Sequence, residues 1–178
     1  MRLFREKYRI ESNRRPGRDY AAPGRYFVTI CTHDRQLWFG EIRNGIVGLN
    51  DCGCIVAGEI RRTTQVRPNT TIHDWIVMPD HVHMIIAMEP NNCSSTVETH
   101  RRCVSTWVDE CIPLCRRRPG TLGSIVAQFK SVCTKRIRAM GYADFAWQSN
   151  YHERIVRSDA MEQRIRQYIT ENPLKWEP

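Results

Sequence analysis

Two histidines one residue apart, His81-Val82-His83, open an apolar run that ends at Met88. In an extended chain successive side chains alternate between faces, so both imidazoles point the same way with Cα atoms roughly 6.6 Å apart. Ring nitrogens so placed can chelate one metal ion; two partly buried histidines satisfied by hydrogen bonds would show the same pattern. Further candidates stand near the C-terminus, where Tyr168 and Asn172 lie four residues apart in a helical stretch. They project ~40° apart around the axis and one turn along it, so a hydroxyl and an amide oxygen can face one point. A tyrosine with a pKa near ~10 is protonated at neutral pH and is a poor nucleophile unaided. Two imidazoles and an amide oxygen leave coordination positions for a phosphate oxygen and water. Such a set suits Mg²⁺ or Mn²⁺ better than a closed tetrahedral zinc site, and it would stabilise the charge of a phosphodiester displacement. On its own, Tyr168 also reads as a half-buried aromatic that packs a terminal helix. Tyr151, with His152 beside it, is the alternative nucleophile; it lies in a strand-like stretch with no carboxamide at a matching helical step.

The elements that must position these groups follow from pattern. The β-branched and aromatic run from Arg25 to Thr32 predicts a central strand. Asn44-Gly45 predicts a hairpin turn between 38–42 and 46–49, and a helix follows from Asn50 to about Arg62. The runs 71–78 and 81–88, separated by Pro79-Asp80, predict an antiparallel pair at the sheet centre. From Thr121 to about Met140, Leu122, Ile125, Val126, Phe129, Val132, Cys133 and Ile137 recur at three- and four-residue steps, as in an amphipathic helix. Its other face, with Lys130, Lys135, Arg136 and Arg138, has no acidic neighbour within the helix. A last strand is predicted over 145–156, then a helix capped by Ser158 or Asp159 and ended by Pro173. This order implies an α+β fold, a ferredoxin-like antiparallel sheet with helices packed mainly on one face.

Residues 1–24 read as a basic arm, 25–178 as a single domain, and 89–120 as a loop or insertion within it. Across 178 residues, 27 Lys+Arg against 19 Asp+Glu leave a formal +8 at pH 7. An excess of that size favours a polyanionic partner. No apolar run approaches the ~20 residues of a membrane span, and the N-terminus lacks the apolar core of a signal peptide, so a cytoplasmic protein is expected. The eight cysteines are then reduced thiols, and the absence of CxxC argues against a structural zinc knuckle.

Five motifs occur in fixed order: Tyr26-Phe27-Val28-Thr29, 78–83 (Met-Pro-Asp-His-Val-His), Phe129-Lys130-Ser131, 147–152 (Trp-Gln-Ser-Asn-Tyr-His) and 168–173 (Tyr-Ile-Thr-Glu-Asn-Pro). In this the chain resembles the HUH-type tyrosine transposases of the insertion-sequence family, and most nearly the REP-associated branch. The resemblance runs from about Arg14 to Trp176. It implies a metal-dependent single-stranded DNA endonuclease and strand transferase that acts at palindromic repeats folded as hairpins. By that resemblance His81, His83 and Asn172 hold the divalent ion, and Tyr168 attacks the phosphodiester and stays joined to the 5′ phosphate. It further implies a nucleoid-associated protein and allows a homodimer. Candidate DNA contacts are Arg14, Arg15, Arg116, Arg117, Arg118, Lys130, Lys135 and Arg136. A domesticated hairpin-binding protein and a metal-dependent RNA nuclease are the competing functions. The segment from Cys93 to Cys115 matches no motif.

Overall fold

A computed structural model describes residues 19–90 and 120–176. Most of the expected arm, Arg14 and Arg15, the bulk of the 89–120 stretch with Arg116, Arg117, Arg118 and the Cys93 to Cys115 segment lie outside the described residues.

Strand β1 (Gly24–Cys31) alternates strictly: Tyr26, Val28 and Ile30 are buried on one face, while Phe27 and Thr29 point to the other. Strands β2 (Gly40–Arg43) and β3 (Ile46–Leu49) form a separate hairpin. Asn44 (φ 52°) and Gly45 (φ 73°) supply the two left-handed residues that a tight turn of this hand requires. Helix α1 (Asp51–Val66) starts at Asn50, whose side chain accepts from the Gly53 amide at 3.0 Å. It runs one turn past the expected end at Arg62, and in that turn Thr63 directs its hydroxyl to the Glu59 carbonyl at 2.8 Å. Strands β4 (Thr70–Val77) and β5 (His81–Met88) pair antiparallel, and helix α2 (Leu122–Ala139) is capped by Thr121. Strand β6 (His152–Val156) and helix α3 (Asp159–Glu171), capped by Ser158, complete the fold, and a 3-10 turn over Asn172–Lys175 follows.

The main sheet runs β4-β5-β1-β6, all antiparallel. With the β2–β3 hairpin set aside, this is the β-α-β-β-α-β order of a ferredoxin-like unit. β5 and β1 are therefore the centre, and β4, expected there, is an edge strand whose register shifts between Ile72 and Trp75. The reason is visible in β5, which is buried on both faces, whereas β4 is not. The last strand is also shorter than the expected 145–156. Phe145 and Trp147 leave the sheet to pack with Phe39, at ring separations between 5.3 and 5.8 Å, and Trp147 makes only an isolated bridge to Thr32.

Helices α1 and α2 cover the face that carries Val28, Val82, Met84 and Ile86. Helix α3 crosses to the opposite face, where Ile165 and Ile169 close over Ile85 and Val156. Ion pairs fix its course: Arg25 of β1 engages Asp159 and Glu162, and Arg166 reaches Asp74 of β4 at 2.9 Å. Two of the three helices thus share one face, and the third lies over the histidines.

Gly53 seats α1 against the hairpin. A Cβ there would overlap the Phe39 carbonyl oxygen and lie 2.9 Å from Leu49 Cδ2, and that carbonyl already accepts from the Asn50 amide at 3.1 Å. Gly53→Ala gains about 1 kcal/mol of helix propensity yet is expected to destabilise the protein by about 1–3 kcal/mol through overpacking. A lower urea midpoint with unchanged m-value is the expected reading.

Candidate functional site

Alternation along β5 sends His81 and His83 to the α3 face, and both are nearly withdrawn from water, at 4% and 5% exposure. Antiparallel register places Thr29 of β1 opposite His83, His152 of β6 opposite Thr29, and Cys31 opposite His81. Each imidazole is held from behind. His81 Nδ1 lies 2.6 Å from Asp80 Oδ1, and Asp80 Oδ2 takes an ion pair from Arg35 Nε at 2.6 Å. Arg35 reaches it from a turn in which Asp34 and Arg35 both adopt left-handed backbone, φ 51° and 56°. His83 Nδ1 lies 2.8 Å from Thr29 Oγ1. With an Nδ1–H donated to Asp80 or Thr29, each ring turns its Nε2 lone pair toward the other, and the two Nε2 atoms are 3.0 Å apart.

Burial, joined by the charges of His81 and Arg35, pushes the His83 pKa down to about 3. The ring is therefore neutral at pH 7 and Nε2 is available as a donor. Adjacent corners of an octahedron with bonds of about 2.1 Å are about 3.0 Å apart, so the pair fits one divalent cation. Among the described residues no group of three His, Cys, Asp or Glu converges in this way. Among the described residues any further donor is thus of another type, and Asn172, 9% exposed at the end of α3, lines the same cleft.

Tyr168 stands one helical turn before Asn172, 45% exposed, with its hydroxyl 3.4 Å from His83 Nε2. Phe27 sets the ring's position: it stacks on His83 at 5.2 Å and meets Tyr168 edge-on at 6.0 Å. The cleft over these groups is about 610 Å³ and also holds His152, Lys175 and Trp176, whose indole sits 5.6 Å from the His81 ring. The structure therefore brings together His81, His83, Tyr168 and Asn172. It places Tyr151 on the other face of the sheet, packed against the α1/α2 core, because Tyr151 and His152 are adjacent in an extended segment and must diverge.

Of the expected DNA contacts among the described residues, Lys130, Lys135 and Arg136 lie on α2, also away from the histidines. Arg136 is engaged by Glu59 of α1, and Lys130 donates to the Gln148 and Asn150 carbonyls. Opposing charge absent from the helix itself is thus supplied to Arg136 by its neighbour. Asp80, Thr29, Arg35 and His152 join the candidate residues only in the structure. Asp80 adjoins the histidines but read as part of a turn, and Thr29 and His152 become neighbours of His83 only through strand register.

No family model matches the sequence. An uncharacterized protein of Haemophilus influenzae is 30% identical over 162 residues, covering 89% of this chain and 85% of that one. Among solved structures, a REP-associated tyrosine transposase bound to a REP hairpin superposes with TM-score 0.57 at 19% identity, over 91% of this chain and 73% of that one. A Deinococcus radiodurans structure described as a candidate transposase reaches TM-score 0.45 at 17% identity, over 90% of this chain and 98% of that one. The chain belongs to one family with the Haemophilus influenzae protein, and its fold is the one seen in the REP-associated tyrosine transposase.

Proposed function

We propose that this chain is a metal-dependent single-stranded DNA endonuclease and strand transferase that cuts beside DNA hairpins through a tyrosine joined to the 5′ phosphate. The observation that carries the reading is the 3.4 Å approach of the Tyr168 hydroxyl to His83 Nε2, the atom that faces His81 Nε2 across 3.0 Å. The REP hairpin bound by the structural neighbour supports DNA hairpins as the substrate class.

In this reading His81, His83 and Asn172 hold Mg²⁺ or Mn²⁺, which when bound supplies Lewis-acid polarisation of the scissile phosphate. Tyr168 contributes the nucleophilic oxygen. As its bond to phosphorus forms, the phenol gives up its proton and the P–O3′ bond breaks; the departing oxygen takes up a proton and leaves as a 3′ hydroxyl. The 5′ phosphate remains on Tyr168, so the bond energy is kept for rejoining to another 3′ hydroxyl. Phe27 and His83 limit the directions the Tyr168 ring can take, which lowers the cost of orienting its hydroxyl for attack. Lys175, which also lines the cleft and pairs with Glu171 at 2.6 Å, places a cation at its rim for the DNA backbone.

A labelled single strand carrying a hairpin and unpaired flanks, incubated with the protein and Mg²⁺ or Mn²⁺, tests the reading. A covalent protein–DNA adduct on a denaturing gel is the expected result. Hairpin binding with no adduct in either metal would leave only a DNA-binding role, and cleavage of RNA without adduct would move the protein to the RNA nucleases. Asp80→Asn checks the support of the histidines. An amide can turn its NH₂ toward Nδ1 and select the wrong tautomer, so Mn²⁺ affinity, read by electron paramagnetic resonance, is expected to fall about 10- to 100-fold. The far-ultraviolet spectrum should not change.

A further inference from the structure

Beside the histidines, two cationic side chains line the cleft, Lys175 and Arg35. Lys175 pairs with Glu171 at the exposed end of α3. Arg35 is anchored from within: its Nε is ion-paired with Asp80 Oδ2, on a carboxylate only 3% exposed, and its Nη1 donates to Cys31 Sγ at 3.0 Å. Its Nη2 has no hydrogen-bond partner among the described residues, and the side chain is 53% exposed. A guanidinium carries five N–H donors in one plane, so Arg35 can hold Asp80 along one edge and an oxyanion along another. Its charge also reaches the histidines: after burial and His81, it is Arg35 that holds His83 neutral.

The backbone that delivers this side chain is strained. Asp34 and Arg35 have the left-handed φ noted above, a conformation that non-glycine residues keep only where the surroundings fix it. Here the surroundings are the turn between β4 and β5. Thr32, fully buried, donates its amide to the Asp80 carbonyl at 2.9 Å and its hydroxyl to the Gln36 carbonyl at 2.8 Å, and the Phe39 amide donates to the Pro79 carbonyl at 2.9 Å. The two turns are thus tied together, and Arg35 is aimed past the carboxylate that supports His81. We infer that Arg35 is a catalytic residue whose Nη2 donates to a non-bridging oxygen of the phosphate that Tyr168 attacks and holds the charge that builds there. Arg35 gives up no proton in that step. The inference rests on the DNA-cutting reading for the reaction, and on the geometry of Arg35 itself for the grip on phosphate.

Binding is measured with Tyr168→Phe protein and no divalent metal, so that neither cleavage nor the ion's charge intervenes. The probes are fluorescein-labelled DNA hairpins with six thymidines on each end, each carrying one methylphosphonate, which exchanges a charged oxygen for a methyl group, stepped through the tails one linkage at a time. Neutralising one particular linkage is expected to weaken binding about tenfold, the value of a charge-assisted hydrogen bond. In Arg35→Ala protein the same change should cost less than about twofold. Arg35→Lys, which keeps the charge at Asp80 but not the second edge, should show less than about threefold. Each ratio is taken within one protein, so a general loss of affinity cancels. In the Tyr168 protein at saturating Mn²⁺, Arg35→Ala is expected to slow adduct formation about 10²- to 10³-fold. A scan in which no linkage stands out, or a tenfold ratio that survives both substitutions, would overturn the inference. Neither metal nor the Tyr168 hydroxyl enters the binding scan, so it fails independently of the adduct assay.

Discussion

Tyr168→Phe is expected to abolish the covalent DNA adduct and to lower strand cleavage by a factor on the order of 10⁴–10⁶, the loss seen when an attacking group is removed outright. The substitution takes away one oxygen. The phenylalanine ring retains the edge contact with Phe27 and the 5.3 Å packing on His83. The lost hydroxyl is 3.4 Å from its partner on a residue 45% exposed, so stability should move by less than about 0.5 kcal/mol. Hairpin binding should persist, which separates a chemical loss from a folding loss. Tyr151→Phe is the control: its ring lies against the opposite face of the sheet, and the adduct should form at the wild-type rate. An adduct that survives Tyr168→Phe and disappears with Tyr151→Phe would reverse the assignment.

His83→Ala is expected to lower cleavage by about 10³-fold or more and to remove saturable Mn²⁺ binding in the micromolar-to-millimolar range. One of two converging nitrogens is lost, and His81 with the Asn172 amide is a weaker site. The change also empties a buried volume between Phe27, Thr29 and Tyr168, so a cost of about 1–3 kcal/mol in stability accompanies it. Thr29→Val distinguishes the two effects. It keeps the shape beside the ring and removes only the hydroxyl 2.8 Å from Nδ1. Metal affinity should drop about 10- to 100-fold, with a much smaller change in melting temperature. Equal Mn²⁺ binding by wild type and His83→Ala would dismiss the histidine pair as the metal site.

The chemistry-bearing pairs were legible because each is written in a local period. His81 and His83 are two apart on a strand, and Tyr168 and Asn172 are four apart on a helix, so each pair shares a face whatever the rest of the chain does. The caps at Asn50, Thr121 and Ser158 and the Asn44-Gly45 turn are equally local, and the elements they bound stand where the pattern puts them. The exceptions lie where a local signal met a tertiary one. Phe145 and Trp147 have strand-like side chains, yet burial with Phe39 draws them out of the sheet.

Sequence alone therefore determined the α+β class, the basic balance and the two residue pairs of the candidate site, one on β5 and one on α3. It could not join the halves. That α3 crosses to the face opposite α1 and α2 is decided by Ile165 and Ile169 finding Ile85 and Val156, and by Arg25 and Arg166 finding their carboxylates across the sheet. Strand register, a sum of many backbone pairings, then decided that Thr29 backs His83 and that His152 rather than Tyr151 enters the cleft. A one-residue slip in β6 would exchange those two side chains. Pairing between distant segments carries no mark at any single position, which is why the choice between neighbouring residues belonged to the tertiary structure.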